Sequence, residues 1–294
     1  MTRLLTLALL MSLAQAAPPP PSTDIYLLEM SSGLASLKSA TPRAIATEKG
    51  YENQPFFTPD GRAILFTANR DGKQMDIFEH TLGGATRQLI STPEGEYSPT
   101  ITPDGGISVI RVETDGTQRL WRFDRNGSNP HVLIENVKPV GYHAWIDGGR
   151  LALFVLGQPA TLRLARPGRG EAEVVASDIG RSLQRMPGTR SVSFVQREGE
   201  GRFVVKELKV DESSLKASTV TTLTAAVEGS SDRDTAWMPD GTLLMSAGTR
   251  LYAWNRGESG WREVFDGTPH RLRNLSRMAV APDGKAIAIV VAAE

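Results

Sequence analysis

Thr58-Pro59-Asp60-Gly61 returns 44 residues later as Thr102-Pro103-Asp104-Gly105, then again as Met238-Pro239-Asp240-Gly241 and Ala281-Pro282-Asp283-Gly284. Two degenerate copies lie between them: Trp145-Ile146-Asp147-Gly148 lacks the proline, and Met186-Pro187-Gly188 lacks the aspartate. Taking Pro59, Pro103, Ile146, Pro187, Pro239 and Pro282 as markers, the steps are 44, 43, 41, 52 and 43 residues. Six units follow. Proline presets φ near −65°, aspartate bonds its own nearby backbone, and glycine takes the positive φ that closes a tight turn. Each signature therefore marks a hairpin.

Strand-like runs flank the hairpins, such as Ala63-Ile64-Leu65-Phe66-Thr67 and Ser191-Val192-Ser193-Phe194-Val195. Further turn signals follow at strand-length intervals, for example Glu113-Thr114-Asp115-Gly116 and then Arg125-Asn126-Gly127. A unit thus reads as four antiparallel strands in about 43 residues, the size of one propeller blade. No long window shows a helical period, and an open solenoid or sandwich fits the spacing less well. The two ends are complementary. Asp24 to Met30 and Arg43 to Thr47 read as third and fourth strands, while Arg277 to Val280 and Ala286 to Val291 read as first and second. The expected fold is an all-β, six-bladed β-propeller of four-stranded antiparallel blades. Its ring is closed by the N-terminal strands pairing with the C-terminal strands in one composite blade, which leaves no free sheet edge around the ring.

The P-D-G turn, with Arg62-Ala63-Ile64-Leu65-Phe66 after it, resembles the PD40 type of WD40-like repeat found in the propeller of the periplasmic TolB proteins. Tyr51 to Leu89 fits it in order and spacing, including Asp71-Gly72 and Asp76-Ile77-Phe78. The third and fourth units depart from the pattern. The resemblance implies the propeller, an exported protein and, at one remove, a role in binding an envelope protein or peptide. TolB proteins carry an α/β domain ahead of the propeller, for which these 294 residues leave no room. Peptidases of the prolyl oligopeptidase type pair similar propellers with a hydrolase domain, but the G-x-S-x-G elbow such a domain needs does not occur here.

The start of the chain reads as a processing segment. Arg3 precedes the apolar run Leu4 to Leu13, and Ala14-Gln15-Ala16 is a small-x-small cleavage signal. Residues 1–16 are expected to be a signal peptide, 17–23 a proline-rich linker and 24–294 a single propeller domain, placed in the periplasm or secreted. The apolar run is too short to span a bilayer, and no later stretch does so. With 33 basic against 33 acidic residues there is no basic excess of the kind nucleic-acid binding uses. There is no cysteine, so stability must come from an ordinary core rather than from disulfides.

Propellers bind at the channel mouth, so the segments ahead of each P-D-G turn are the candidate rim loops. These are Glu52-Asn53-Gln54, Glu96-Tyr97-Ser98, Gly141-Tyr142-His143, Gly180-Arg181-Ser182, Asp232-Arg233-Asp234 and Ser276-Arg277. The leading expectation is a non-catalytic module that binds a protein or peptide through Glu52, Asn53, Glu96, Tyr97, Tyr142, His143, Arg181, Asp232, Asp234 and Arg277. No cofactor is expected on that reading. The alternative is a metal-dependent hydrolase or lyase of a sugar acid or lactone. In it Asp232, Asp234, Glu52 and Glu96 would hold a divalent cation, since hard cations favour several oxygen ligands. Against it, the same carboxylates could pair with Arg181, Arg233 and Arg277. His143 is expected to bond a neighbouring blade rather than act as a base. Asp124 to Asn129 reads as a turn, not a calcium loop. Trp121, Trp237, Trp254 and Phe56-Phe57 are expected to fill the spaces between blades, and Asp211 to Thr222 reads as a long, disordered loop.

Overall fold

The computed structural model describes residues 20–293 apart from 71, 73, 212–216 and 232. Residues 1–16, expected from the sequence to be a signal peptide, and Asp232 lie outside the described residues. β1 (Thr23–Glu29), a 3-10 helix (Leu34–Ser39) and β2 (Arg43–Ala46) precede blade 1, which is β3 (Glu52–Phe57), β4 (Ala63–Ala68), β5 (Asp76–Thr81) and β6 (Thr86–Ile90). Blade 2 is β7 (Gly95–Ile101), β8 (Ile107–Val112), β9 (Gln118–Phe123) and β10 (His131–Val132). Blade 3 is β11 (Val140–Asp147), β12 (Arg150–Val155), β13 (Thr161–Ala165) and β14 (Ala172–Ser177). Blade 4 is β15 (Ile179–Arg185), β16 (Ser191–Arg197), β17 (Phe203–Val210) and β18 (Ala217–Ala225). Blade 5 is β19 (Thr235–Trp237), β20 (Leu243–Ala247), β21 (Arg250–Trp254) and β22 (Arg262–Asp266). β23 (Met278–Val280) and β24 (Ala286–Ala292) finish the chain and join β1 and β2 in a sheet of order β2-β1-β24-β23. The fold is a six-bladed β-propeller, and the predicted composite blade closes it.

The sequence builds this ring because each blade must bury both faces. In β24, Ile287, Ile289 and Val291 pack toward blade 5, while Ala286, Ala288 and Val290 pack toward blade 1. β12 divides likewise, with Leu151, Leu153 and Val155 facing blade 2 and Ala152 and Phe154 facing blade 4. The period-2 alternation of a strand feeds two interfaces at once, so these strands read as unbroken apolar runs. Each of the six spaces between neighbouring blades holds one apolar cluster. Phe57, Phe56, Trp121, Trp237 and Trp254 all sit in these spaces, as expected from the sequence.

Polar stitches cross the same spaces. The Trp145 indole N–H on β11 donates to Ser108 Oγ on β8 at 2.9 Å, and the Trp237 N–H on β19 donates to Ser193 Oγ on β16 at 2.8 Å. A tryptophan on an inner strand thus reaches a serine on the second strand of the preceding blade, twice. Asp124 to Asn129 forms a turn, with Gly127 N–H donating to Asp124 O. The expected loop at Asp211 to Thr222 is corrected in part, because Ala217 onward belongs to β18. Its β-branched run Thr219-Val220-Thr221-Thr222 favours a pleated strand, which outweighed the polar composition.

Candidate functional site

All six innermost strands or the residues just ahead of them line one central cavity of about 790 Å³. Most of the segments expected to be rim loops are strand instead: Glu52 and Asn53 start β3, Glu96 and Tyr97 lie in β7, Tyr142 and His143 in β11 and Arg181 in β15. Asp234 and Arg277 immediately precede β19 and β23. Which way each side chain points is set by a repeated irregularity. The pairing register shifts between Asn53 and Phe56 in β3 and between Tyr97 and Thr100 in β7, and Gln54 and Ser98 take φ of 59° and 53°. Such a bulge re-aims the side chains around it. Gln54 Oε1 then accepts the Ser98 N–H at 2.7 Å, tying the two bulges together.

Arg277 is the hub of one mouth. Its guanidinium donates to Asn53 Oδ1 at 3.0 Å and to the Tyr142 hydroxyl at 2.5 Å, and lies 5.1 Å from the Tyr142 ring centre. Its Nε is 4.0 Å from Asp234 Oδ2. From the composite blade, one arginine therefore reaches blades 1 and 5 beside it and blade 3 across the axis. Arg181 lines the same cavity and is exposed. Tyr51, half-buried, completes the group. Burial pushes its phenol up to about 12 against the opposing pull of Arg277 and Arg181, while Tyr142 and Tyr97 add to the rise. It stays a neutral hydroxyl. Tyr51 stands one residue ahead of the aligned triplet, so a window widened by one position would have included it.

Glu52 and Glu96 do other work, and His143, which lines the cavity, also joins two blades. Glu52 is 1% and Glu96 0% exposed, and neither lines the cavity. Glu52 accepts from Arg70 at 2.9 Å, and Glu96 accepts from Thr92 Oγ1 at 2.6 Å with Arg111 at 3.3 Å. The carboxylates do pair with arginines, but with those of their own blades. Burial raises Glu52 to about 7, the Arg70 charge only partly opposing it. Burial likewise raises Glu96 to about 7 against the Thr92 bond and the Arg111 charge. His143 is buried, and its Nε2 is 2.8 Å from Ser108 Oγ of the preceding blade, the stitching role expected of it. Burial holds its pKa down to about 3. The cation set of Asp232, Asp234, Glu52 and Glu96 does not fit a divalent ion. Glu52 and Glu96 are turned into separate arginine pairs, and among the described residues no group of three or more His, Asp or Glu side chains is gathered to hold one. What the mouth offers is recognition chemistry: guanidinium and phenol donors, an amide and one carboxylate, around an open channel.

A six-bladed propeller with a polar, arginine-centred channel mouth is the class that this fold and site define. No protein-family model matches the chain. Solved structures share the fold at low identity. A protein of Agrobacterium tumefaciens assigned as TolB superposes with a TM-score of 0.67 at 17% identity, covering 92% of this chain and 98% of that one. TolB of Acinetobacter baumannii gives 0.57 at 14% identity, covering 92% of this chain but 63% of that one. A gluconolactonase of Xanthomonas campestris gives 0.64 at 10% identity, covering 94% and 99%. The chain has a TolB-like propeller fold, one also used by lactonases. No helix among the described residues is long and apolar enough to cross a membrane.

Proposed function

We propose that this chain is an exported, non-catalytic binding module that recognises a protein or peptide at the channel mouth around Arg277, in the periplasm or outside the cell. The observation that carries the reading is the convergence of Asn53, Tyr142, Asp234 and Arg277, from four different blades, on one open mouth. Several hydrogen-bonding side chains fixed by separate rigid strands are what a specific interface requires. The likeness to TolB propellers agrees with it at the level of fold. Arg181, which lines the cavity, belongs to the same proposed surface, and Asp232 is assigned to it from the sequence; Tyr97 packs instead in the apolar space between blades 2 and 3.

Crosslinking in the native cell envelope tests it. Arg181→Glu should lose the crosslinked species that the wild type forms, and the outer-blade control Arg262→Glu should keep it. Equal crosslinking by both variants removes this mouth from consideration.

A further inference from the structure

The channel has two chemically different walls. Blades 1 and 2 present Pro55, Phe56, Pro59, Pro99, Ile101 and Pro103 to the cavity and, among the described residues, no charged side chain. The uncharged Gln54, Ser98, Thr100 and Thr102 are interspersed with them. Blade 4, across the axis from blade 1, presents Arg181, Arg185 and Arg190, all exposed. Arg277 adds a fourth guanidinium at the mouth. Among the described residues the cavity's acidic side chains are Asp147 and Asp234. Asp147 accepts from Arg150 at 2.7 Å, and Asp234 stands 4.0 Å from Arg277. Among the described residues the lining is therefore cationic in balance, and its positive charge is concentrated on one side.

We propose that the channel takes an extended acidic polypeptide segment in which carboxylates alternate with apolar side chains, the carboxylates facing blade 4 and the apolar groups facing blades 1 and 2. The inference rests on the binding-module reading and names the chemistry of its partner. Alternate residues of an extended chain point to opposite sides, which matches a channel with one cationic and one apolar wall. Arg181 and Arg185 are four positions apart on β15, which sets an upper limit of about 13 Å at roughly 3.3 Å per residue, because the register shift between Ile179 and Leu183 shortens the span. An extended ligand with carboxylates on alternate residues therefore meets both arginines. Guanidinium binds carboxylate through paired, charge-assisted hydrogen bonds, strengthened where water is thinned. The cavity of about 790 Å³ lies within the range of sites for ligands of a few residues' bulk. A uronic-acid oligomer carries the charges but is hydroxylated on its other faces, and would leave the proline and phenylalanine wall uncovered.

The test is fluorescence anisotropy of the mature chain with labelled five-residue peptides. One alternates glutamate with leucine, one glutamate with serine and one lysine with leucine, and trigalacturonate serves as competitor. The glutamate–leucine peptide should bind about tenfold or more tightly than the other two, and weaken as salt rises. Arg181→Gln with Arg185→Gln should weaken it about tenfold while leaving the melting temperature unchanged. Equal binding of the lysine–leucine peptide, binding by none of the three, or stronger binding of trigalacturonate overturns the proposal. If no peptide binds while crosslinking still depends on Arg181, this inference fails and the binding-module reading stands. If trigalacturonate or a lactone is turned over, both fail.

Discussion

In the composite blade, β24 is buried along six of its seven residues and is paired on one side with β1 and on the other with β23. In blade 4 the outermost strand, β18, leaves Thr219, Val220, Thr221 and Thr222 exposed, while the innermost strand sends Arg181 and Arg185 into the channel. The two blades share one four-stranded plan and carry different loads. The composite blade ties residues from both ends of the chain into one sheet, seven paired positions long between β1 and β24, so the ring depends on it. Blade 4 is held by its neighbours and has exposed positions to spend on charge. The composite blade thus carries ring closure as well as the mouth residue Arg277, whereas blade 4 adds exposed guanidinium groups to the channel.

The sharpest way to break that contrast is to cut the composite blade. Deleting Ile25 to Met30 should abolish cooperative unfolding at the parental temperature, because β24 loses its outer partner and two inter-blade clusters lose residues. A single Leu27→Ala, at a site 1% exposed, should cost about 2–5 kcal/mol in denaturant titration. Val220→Thr on β18 should stay within about 0.5 kcal/mol. Similar losses for Leu27→Ala and Val220→Thr would dissolve the distinction.

A smaller effect is expected where blades are stitched by polar groups. Ser108→Ala takes the partner from both the Trp145 indole N–H and His143 Nε2. About 1–3 kcal/mol should be lost, the cost of leaving buried polar groups unmade. A neutral result would mean that packing alone joins blades 2 and 3.

A further effect is one of pH, and it sharpens the contrast between the buried carboxylates and the open mouth. Glu52 and Glu96 are raised to about 7 in the folded chain, above roughly 4.3 for an unfolded glutamate. Each contributes stability that is full below the unfolded value and lost as pH rises through about 7. His143, lowered to about 3, acts oppositely: its contribution is present above the unfolded value near 6.5 and is lost as pH falls. The two trends overlap in the wild type, so the informative quantity is a difference. The melting temperature of the wild type relative to Glu52→Gln with Glu96→Gln should fall as pH rises from about 4.3 to about 7 and level off above that, since glutamine does not titrate. A rise would show that Arg70 and Arg111 outweigh the burial.

The architecture was legible because its determinants are local. Four full P-D-G turns and two worn ones announce the period, and the blade content follows from strands and turns within each unit. Even ring closure could be read, since Asp24 to Met30 and Ala286 to Val291 are strands lacking half a blade. β18 was misread because Ser and Thr suit both loops and exposed strands, and only pairing with β17 distinguishes them. Of the residues named from their distance to each turn, Tyr142, His143, Arg181, Asp234 and Arg277 line the cavity, and Asn53 is buried beside it as a partner of Arg277.

The sequence by itself determined the number of blades, their strand content and the sectors from which a mouth could be built. Turn chemistry and a period-2 apolar pattern act over a few residues and repeat. Only the tertiary structure decided that Glu52 and Glu96 turn inward to Arg70 and Arg111 while neighbouring Asn53 meets an arginine 224 positions away. That choice rests on bulges in β3 and β7, where a shift of one position in register sends a side chain to the opposite face. It also rests on the closing of the ring, which brings together residues from both ends of the chain.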